Sequence, residues 1–385
     1  MNFPGFRRSD GKVGIRNHVL LLPTSVCAAR VASDIARNVP GCVAACHAYG
    51  CCQVGADARL TFRTLVNTAA NPNVGAIVVI GLGCEGLEPL SLLQAIESLG
   101  KPARGIIIQD EGGSPNTIRR GTAVAGRMAE TLGAHRREEV PVSSLLLGLE
   151  CGGSDATSGL AANPALGAAS DFLIAGGGTC ILSETTESIG AEHVLARRAL
   201  DDQVRRKVLE IVHSCEDRAL RMGEDLRGSQ PTPGNIAGGI TTLEEKSLGC
   251  IHKAGSAPIQ GVLEYGEVPK GRGLYIMDTP GMDVESMVGL AAGGVQVMVF
   301  TTGRGTPTGN PIMPVIKATA NRRTAERMAD NIDLDLSGVI EGTLTIEQAG
   351  QRILDEVLAV AGGKVTKAER LGHTEFSVYR IGPTF

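Results

Sequence analysis

Val74-Gly75-Ala76-Ile77-Val78-Val79-Ile80-Gly81-Leu82-Gly83-Cys84-Glu85-Gly86 joins an unbroken apolar run to a glycine-rich turn. A β-branched run without polar alternation predicts a strand covered on both faces, as strands inside parallel sheets are. The pattern repeats outward from it. On the N-terminal side, His18–Pro23 reads as a strand followed by a helix over Ala28–Asn38, and Gly41–Cys46 as a short strand followed by a helix over Ala56–Thr68. On the C-terminal side come a helix over Pro89–Leu99, a strand at Gly105–Gln109 and a helix over Pro115–Thr131. The charged stretch Ala134–Pro141 reads as a linker. Beyond it, Ser144–Leu149, Gly178–Leu182, Gly273–Met277 and Val295–Thr301 are strand candidates. A charged helical stretch at Glu192–Arg221, a glycine-rich segment at Gly234–Thr241 and a helix at Ile346–Ala361 accompany them. The expected fold class is α/β: two doubly wound, mainly parallel-sheet domains, residues 1–137 and a larger 141–385. The site is expected between them at the carboxyl ends of the strands.

Composition narrows the function classes. A chain of 385 residues, 43% hydrophobic, is too long for one ordinary core. No run approaches the roughly 18 apolar residues of a membrane span, and Met1–Arg8 lacks the apolar region of a secretory signal, so a cytoplasmic protein is expected. A net charge of −4 with both signs scattered, 3% aromatics and no Trp argue against a nucleic-acid or membrane surface. Without an export signal the ten cysteines are expected to be reduced thiols. Cys42, Cys46, Cys180, Cys215 and Cys250 sit in apolar runs or helices and read as core, and His135, His213 and His373 as surface.

Ligands of open parallel sheets bind beyond the carboxyl ends of the strands, so the residues that follow each strand are the functional candidates. They are Cys27; His47, Cys51 and Cys52; Cys84 and Glu85; Asp110 and Glu111; Glu150 to Asp155, including Cys151 and Ser154; Glu184 and Glu187; Asp278; and Thr302 with Arg304. His47 and Cys51 lie on one loop, close enough to share a metal. With Cys84, and with Cys27, Glu85 and Cys151 in reserve, they suggest an iron-type site of mixed N, S and O donors. Packed cysteines and a hydrogen-bonded histidine are the plainer alternative. Glu184 to His193 gathers three carboxylates and an imidazole, a set that can divide acid and base roles or simply open a helix; Glu184, His193 and Asp155 are the acid/base candidates. Arg304 can clamp a carboxylate through paired hydrogen bonds; Lys317, Asn321, Ser154 and Thr302 are the other substrate contacts. Gly81–Gly86 also fits a dinucleotide fingerprint, but it follows the third strand and places a carboxylate where a pyrophosphate would sit. A nicotinamide oxidoreductase is therefore the distant alternative, beside a non-catalytic binding subunit.

Together these segments resemble the altronate dehydratase and galactarate dehydratase family. The resemblance runs from Gly5–Asn17 through the His47–Cys51 loop, Leu82–Glu85, Cys151–Asp155, Asn163–Ala165, Ile181–Glu184, Gly190–His193 and Glu245–Gly249 to Thr301–Gly305. It implies iron-assisted dehydration of a sugar acid to a 2-keto-3-deoxy acid, with Fe2+ as cofactor. Mn2+, or an iron–sulfur cluster on Cys27, Cys51, Cys84 and Cys151, stays open. It also implies an N-terminal SAF-type domain that this chain lacks, hence a separate small SAF subunit beside a homo-oligomer of the large one. The sulfolactate sulfo-lyase large subunit is similar and has that split layout, so sulfite is the alternative leaving group.

Overall fold

The computed structural model describes residues 1–385. β1 (Asn2–Arg7) and β2 (Val13–Gly14) open the chain as an antiparallel pair. β3 (His18–Pro23), β4 (Cys42–Ala44), β5 (Val74–Gly81) and β6 (Ala103–Ile107) form a parallel sheet in the order β4-β3-β5-β6. β7 (Glu138–Pro141) then pairs antiparallel with β1. The stretch expected as a free linker is therefore half a strand, held because Val140 lies opposite Phe3 and both are buried. β8 (Leu146–Cys151), β9 (Thr179–Leu182), β10 (Ile259–Leu263), β11 (Gly273–Met277), β12 (Val297–Thr301), β13 (Val315–Thr319) and β14 (Leu334–Asp335) form a second parallel sheet, ordered β10-β11-β9-β8-β12-β13-β14. The α/β class with two largely parallel sheets holds.

All eight residues of β5 are buried, which explains its unbroken apolar run. β10 and β13 escaped the apolar-run reading because polar Gln260 and Lys317 interrupt them. The expected helical stretch Glu192–Arg221 is split into Glu192–Ala196 and Asp202–Arg221, where Asp201 caps the second helix by accepting from the Val204 N–H. No helix is long and apolar enough to cross a membrane.

Leu20, Leu22, Ile77 and Val79 of the first sheet share one apolar core with Met298, Phe300 and Val315 of the second. Asn71 and Asn73 stitch this junction. The Asn73 side chain accepts from the Ile15 and Arg16 N–H groups and donates to the Gln296 and Ile312 carbonyls. Asn71 donates to the Ala291 and Val295 carbonyls. Asn73 is fully buried, so Asn73→Ala strands four backbone groups without water. Urea unfolding of that variant is expected to show a loss of at least about 4 kcal/mol, roughly 1 kcal/mol or more for each stranded group. The C-terminal segment ties the two halves together: Phe376 and Val378 enter the shared core, and Ile381 and Gly382 N–H groups bind the Asp57 carboxylate.

In each sheet the chain reverses direction beside its first strand, between β3 and β5 and between β8 and β12. Such switch points open a crevice at the carboxyl ends. Most of the predicted site residues divide between these two crevices; Lys317 and His193 lie outside both.

Candidate active site

At the second crevice the strand ends converge on a buried charged cluster. β8 ends in Glu150 and Cys151, and β9 is followed by Glu184, with Glu187 one turn later. Thr279 follows β11, and the helix Asp283–Ala292 begins with Asp283 and Ser286. The helix Leu243–Ile251 and the turn after it bring Lys246, Cys250 and Lys253. These last three recur at i, i+4 and i+7, so they share one helical face.

Lys253 is 1% exposed and is the hub. Its ammonium pairs with Glu184, lies 2.9 Å from the Cys151 sulfur and 3.4 Å from Glu187. The Cys151 thiol donates to Glu187 at 2.8 Å and stands 3.6 Å from the Cys250 sulfur. Lys246 reaches Glu187 from the other side at 3.3 Å. Glu184 has φ 66, a left-handed conformation that is costly for a residue with a side chain. Two bonds hold it there: its N–H donates to Thr279 Oγ1 at 2.7 Å, and its carboxylate accepts from the Cys151 N–H at 2.9 Å. Glu150 accepts from Ser183 and Ser286 through one oxygen, while its other oxygen is buried without a partner.

Burial sets most of the protonation here. It pushes the Glu184 carboxyl up to about 7, helped by the Glu187 charge. It pushes Asp283 up to about 6, again with Glu187, and Glu150 well above the carboxylate range, with Glu184. At Glu187 burial is overcome by Lys253 and Lys246, which hold it down to about 2. Two sets of side chains bring potential ligand atoms within 4.8 Å of one another: Cys151, Glu187 and Cys250, and Glu150, Glu184 and Asp283. The first set is already balanced by two ammonium groups. The second offers one oxygen from each of three carboxylates, and Glu150 among them has an oxygen without a partner; a divalent cation fits it.

A cavity of about 220 Å³ lies beside the cluster, with Ser154, Asp155, Lys246 and Cys250 in its wall. Asp155 is fully engaged: it accepts from Thr157, from Ser158 and, at 2.7 Å, from Asn321. Gly303 packs on that carboxylate so closely that a Cβ would overlap it. Thr302 Oγ1 accepts from the Gly305 N–H, and exposed Arg304 donates to the Gly234 carbonyl at 3.0 Å. Ser154, Asp155, Thr302, Arg304 and Asn321 are thus brought to one rim. Lys317 is not part of it: it is fully buried in β13, its Nζ has no partner, and burial pulls it down to about 8. His193 is exposed on its short helix, outside the hydrogen-bonded cluster. Cys250, expected as plain core, is a member of the cluster. Glu150, Glu187, Lys246, Lys253 and Asp283 also belong to it.

The remaining predicted ligands lie at the first crevice. His47 Nε2 bonds the Pro23 carbonyl at 2.9 Å and Nδ1 accepts from the Tyr49 N–H, so both ring nitrogens are engaged and no lone pair faces a metal. Glu85 accepts from Thr24 Oγ1 and the Leu82 and Gly83 N–H groups. Cys27, Cys51 and Cys84 are exposed there, whereas Cys151 is buried on the other sheet. Burial pulls His47 down to about 4 against the Pro23 bond. Its folded pKa lies below the ordinary 6.5, so its share of stability is present above pH 6.5 and is lost as pH falls toward 4. Urea midpoints for His47→Gln are expected to fall less steeply than wild type across that window.

The sequence matches the D-galactarate dehydratase/altronate hydrolase second domain over residues 5–133 and the D-galactarate/altronate dehydratase C-terminal region over residues 142–384. It is 42% identical to the (2R)-sulfolactate sulfo-lyase subunit beta of Chromohalobacter salexigens, over 98% of this chain and 97% of that one. It is 35% identical to altronate dehydratase of Bacillus subtilis, over 99% of this chain and 78% of the relative. With galactarate dehydratase (L-threo-forming) of Escherichia coli the identity is 38%, over 99% and 77%. The chain belongs to the D-galactarate/altronate dehydratase family and is an enzyme of the lyase class.

Proposed function

We propose that this lyase eliminates water from a small sugar acid such as altronate or galactarate, giving a 2-keto-3-deoxy acid. The observation that carries the reading is Glu184, a carboxyl group set between the Lys253 ammonium and two further carboxylates, where burial raises it to about 7. Such a group can accept the proton from the carbon beside the substrate carboxylate. The freed electron pair forms the C2–C3 double bond as the C3–O bond breaks. Hydroxide leaves as water by taking up the proton that Glu184 has accepted, and the enol tautomerises to the keto acid. Glu150 and Asp283 would hold the divalent cation, Fe2+ in this reading. Bound there, it supplies positive charge next to the developing enediolate. Lys253 keeps Glu184 and Glu187 compensated. Arg304 at the rim clamps the substrate carboxylate, with Ser154, Thr302 and Asn321 around it.

One observation favours a second leaving group. The sulfo-lyase subunit aligns with this chain over nearly the whole of both at 42% identity. Sulfolactate would lose its C2 proton and its C3–S bond, giving sulfite and the enol of pyruvate. In both readings the partner is a small subunit carrying a SAF-type domain. The deciding measurement is anaerobic turnover with Fe2+, with and without that subunit, on altronate, galactarate and sulfolactate. A 2-keto-3-deoxy acid establishes dehydration, and sulfite with pyruvate establishes desulfonation. Turnover of none of the three by the iron-loaded pair overturns both.

A further inference from the structure

Cysteine is among the residue types most often buried, yet Cys27, Cys51, Cys52 and Cys84 are all exposed, and all follow the carboxyl ends of β3, β4 and β5. The other six are buried or half-buried. The three loops are knotted together at the residues beside these thiols. Gly50, next to Cys51, has φ 100 and packs so tightly on Thr24 and Ser25 that a Cβ would overlap the Thr24 carbonyl. The Gly50 carbonyl accepts from the Leu87 N–H at 2.8 Å, and the Val26 N–H donates to the Tyr49 carbonyl at 3.0 Å. Glu85, next to Cys84, takes the Thr24 hydroxyl. His47 and Glu85 are used up in making this knot, and the thiols are left facing solvent at the point where the strand order reverses.

We propose that Cys27, Cys84 and one of the Cys51–Cys52 pair bind an iron–sulfur cluster on the first sheet, a centre separate from the carboxylate cluster of the second. The identity of the metal rests on the iron-dependent lyase reading above; the thiol arrangement stands without it. A single ion fits poorly. Cys51 and Cys52 sulfurs are 3.8 Å apart, but neither Cys27 nor Cys84 belongs to a set whose ligand atoms all lie within 4.8 Å of one another. In a cluster each thiolate binds a different iron, so the sulfurs stand a cluster's width apart. Cys51 and Cys52 occupy one tight turn, with Cys52 at φ 59, and one of them suffices. Cys151 is not the fourth ligand, because it is sealed against Lys253 on the other sheet. A cavity of about 780 Å³ bordered by Gly50, Gly86 and Arg63 opens beside the thiols. Arg63 and Ile381 also border a second cavity, of about 340 Å³, which reaches Thr279 beside Glu184. Assembly from ferrous and ferric iron with inorganic sulfide exchanges three S–H bonds for three S–Fe bonds. It releases three protons to solvent and needs no external oxidant or reductant.

The test is anaerobic incubation of the reduced full-length chain with mixed ferrous and ferric iron and sulfide, followed by desalting. Bound iron, acid-labile sulfide, the visible absorption band and native-state thiol labelling are then measured. The expected result is iron and sulfide in matching amounts, with three of the four fast-labelling thiols becoming protected. Cys27→Ser, Cys84→Ser and the double variant Cys51→Ser/Cys52→Ser are expected to lose the band, while Cys42→Ser, half-buried on β4, keeps it. Thiol protection in the wild-type chain is read without any variant, so a misfolded mutant does not blunt the test. Iron retained without sulfide, no iron at all, or a Cys84→Ser chain that holds as much cluster as wild type would overturn the proposal. Turnover with Fe2+ alone by a chain without labile sulfide would sink the cluster and leave the lyase reading intact.

Discussion

Glu184→Gln is expected to lower kcat by about 10²–10⁴-fold, the range general acid–base groups supply. Glutamine keeps the size of the side chain and can still accept from the Cys151 N–H, so the left-handed turn after β9 retains its support. What it cannot do is take a proton. The pH dependence separates this role from a structural one. Burial, with the Glu187 charge, pushes the Glu184 carboxyl up to about 7, against an ordinary 4.5. A cation held by Glu150 and Asp283 favours the carboxylate form of Glu184, so the wild-type rise in activity with pH should fall below pH 7, and the residual activity of the variant should lack that rise. The stability sign is the reverse. A carboxyl whose folded pKa is raised costs the fold stability as pH climbs from 4.5 to about 7, and the variant should lose that slope as well. A variant with kcat within an order of magnitude of wild type would remove Glu184 from the chemistry.

The second large effect is expected at Lys253. Lys253→Met fits an apolar chain into the same space but strips the ammonium from two buried carboxylates, and breaking a buried ion pair typically costs about 3–5 kcal/mol. Glu187 retains Lys246 at 3.3 Å, so the loss falls mainly on Glu184. Denaturant midpoints should therefore show a large loss for Lys253→Met and a partial recovery in Lys253→Met/Glu184→Gln, where no charge is left to compensate at that oxygen. No recovery in the double variant would mean that Lys253 stabilises the fold through packing alone.

Much of the site was visible in the sequence as position and little of it as partnership. The rule that ligands gather past strand ends picked out Glu150–Asp155, Glu184 and the Thr302–Arg304 loop, and these do meet at one crevice. Lys246, Cys250 and Lys253 form a stripe on one helical face, a pattern open to view, but nothing local says that the stripe closes over Glu184. Cys250 looked like core because its neighbours are apolar. It is indeed buried, and its burial is what places it in the cluster. His47 and Glu85 carry the right donor atoms for a metal, and their nitrogens and oxygens are taken by Pro23, Thr24, Tyr49, Leu82 and Gly83.

The α/β class, most of the strands, the polar residues at their carboxyl ends and the family were all legible along the chain. These follow from local periodicity and short motifs, which depend only on neighbouring residues. Only the folded chain shows that the β7 segment closes back on β1, that Lys317 lies sealed in a strand, and which side chains face one another across a hundred residues. It also sets the charge states of the cluster. Those depend on how far packing removes water and on which opposite charge is then nearest, and neither is a property of the residues taken in order along the chain.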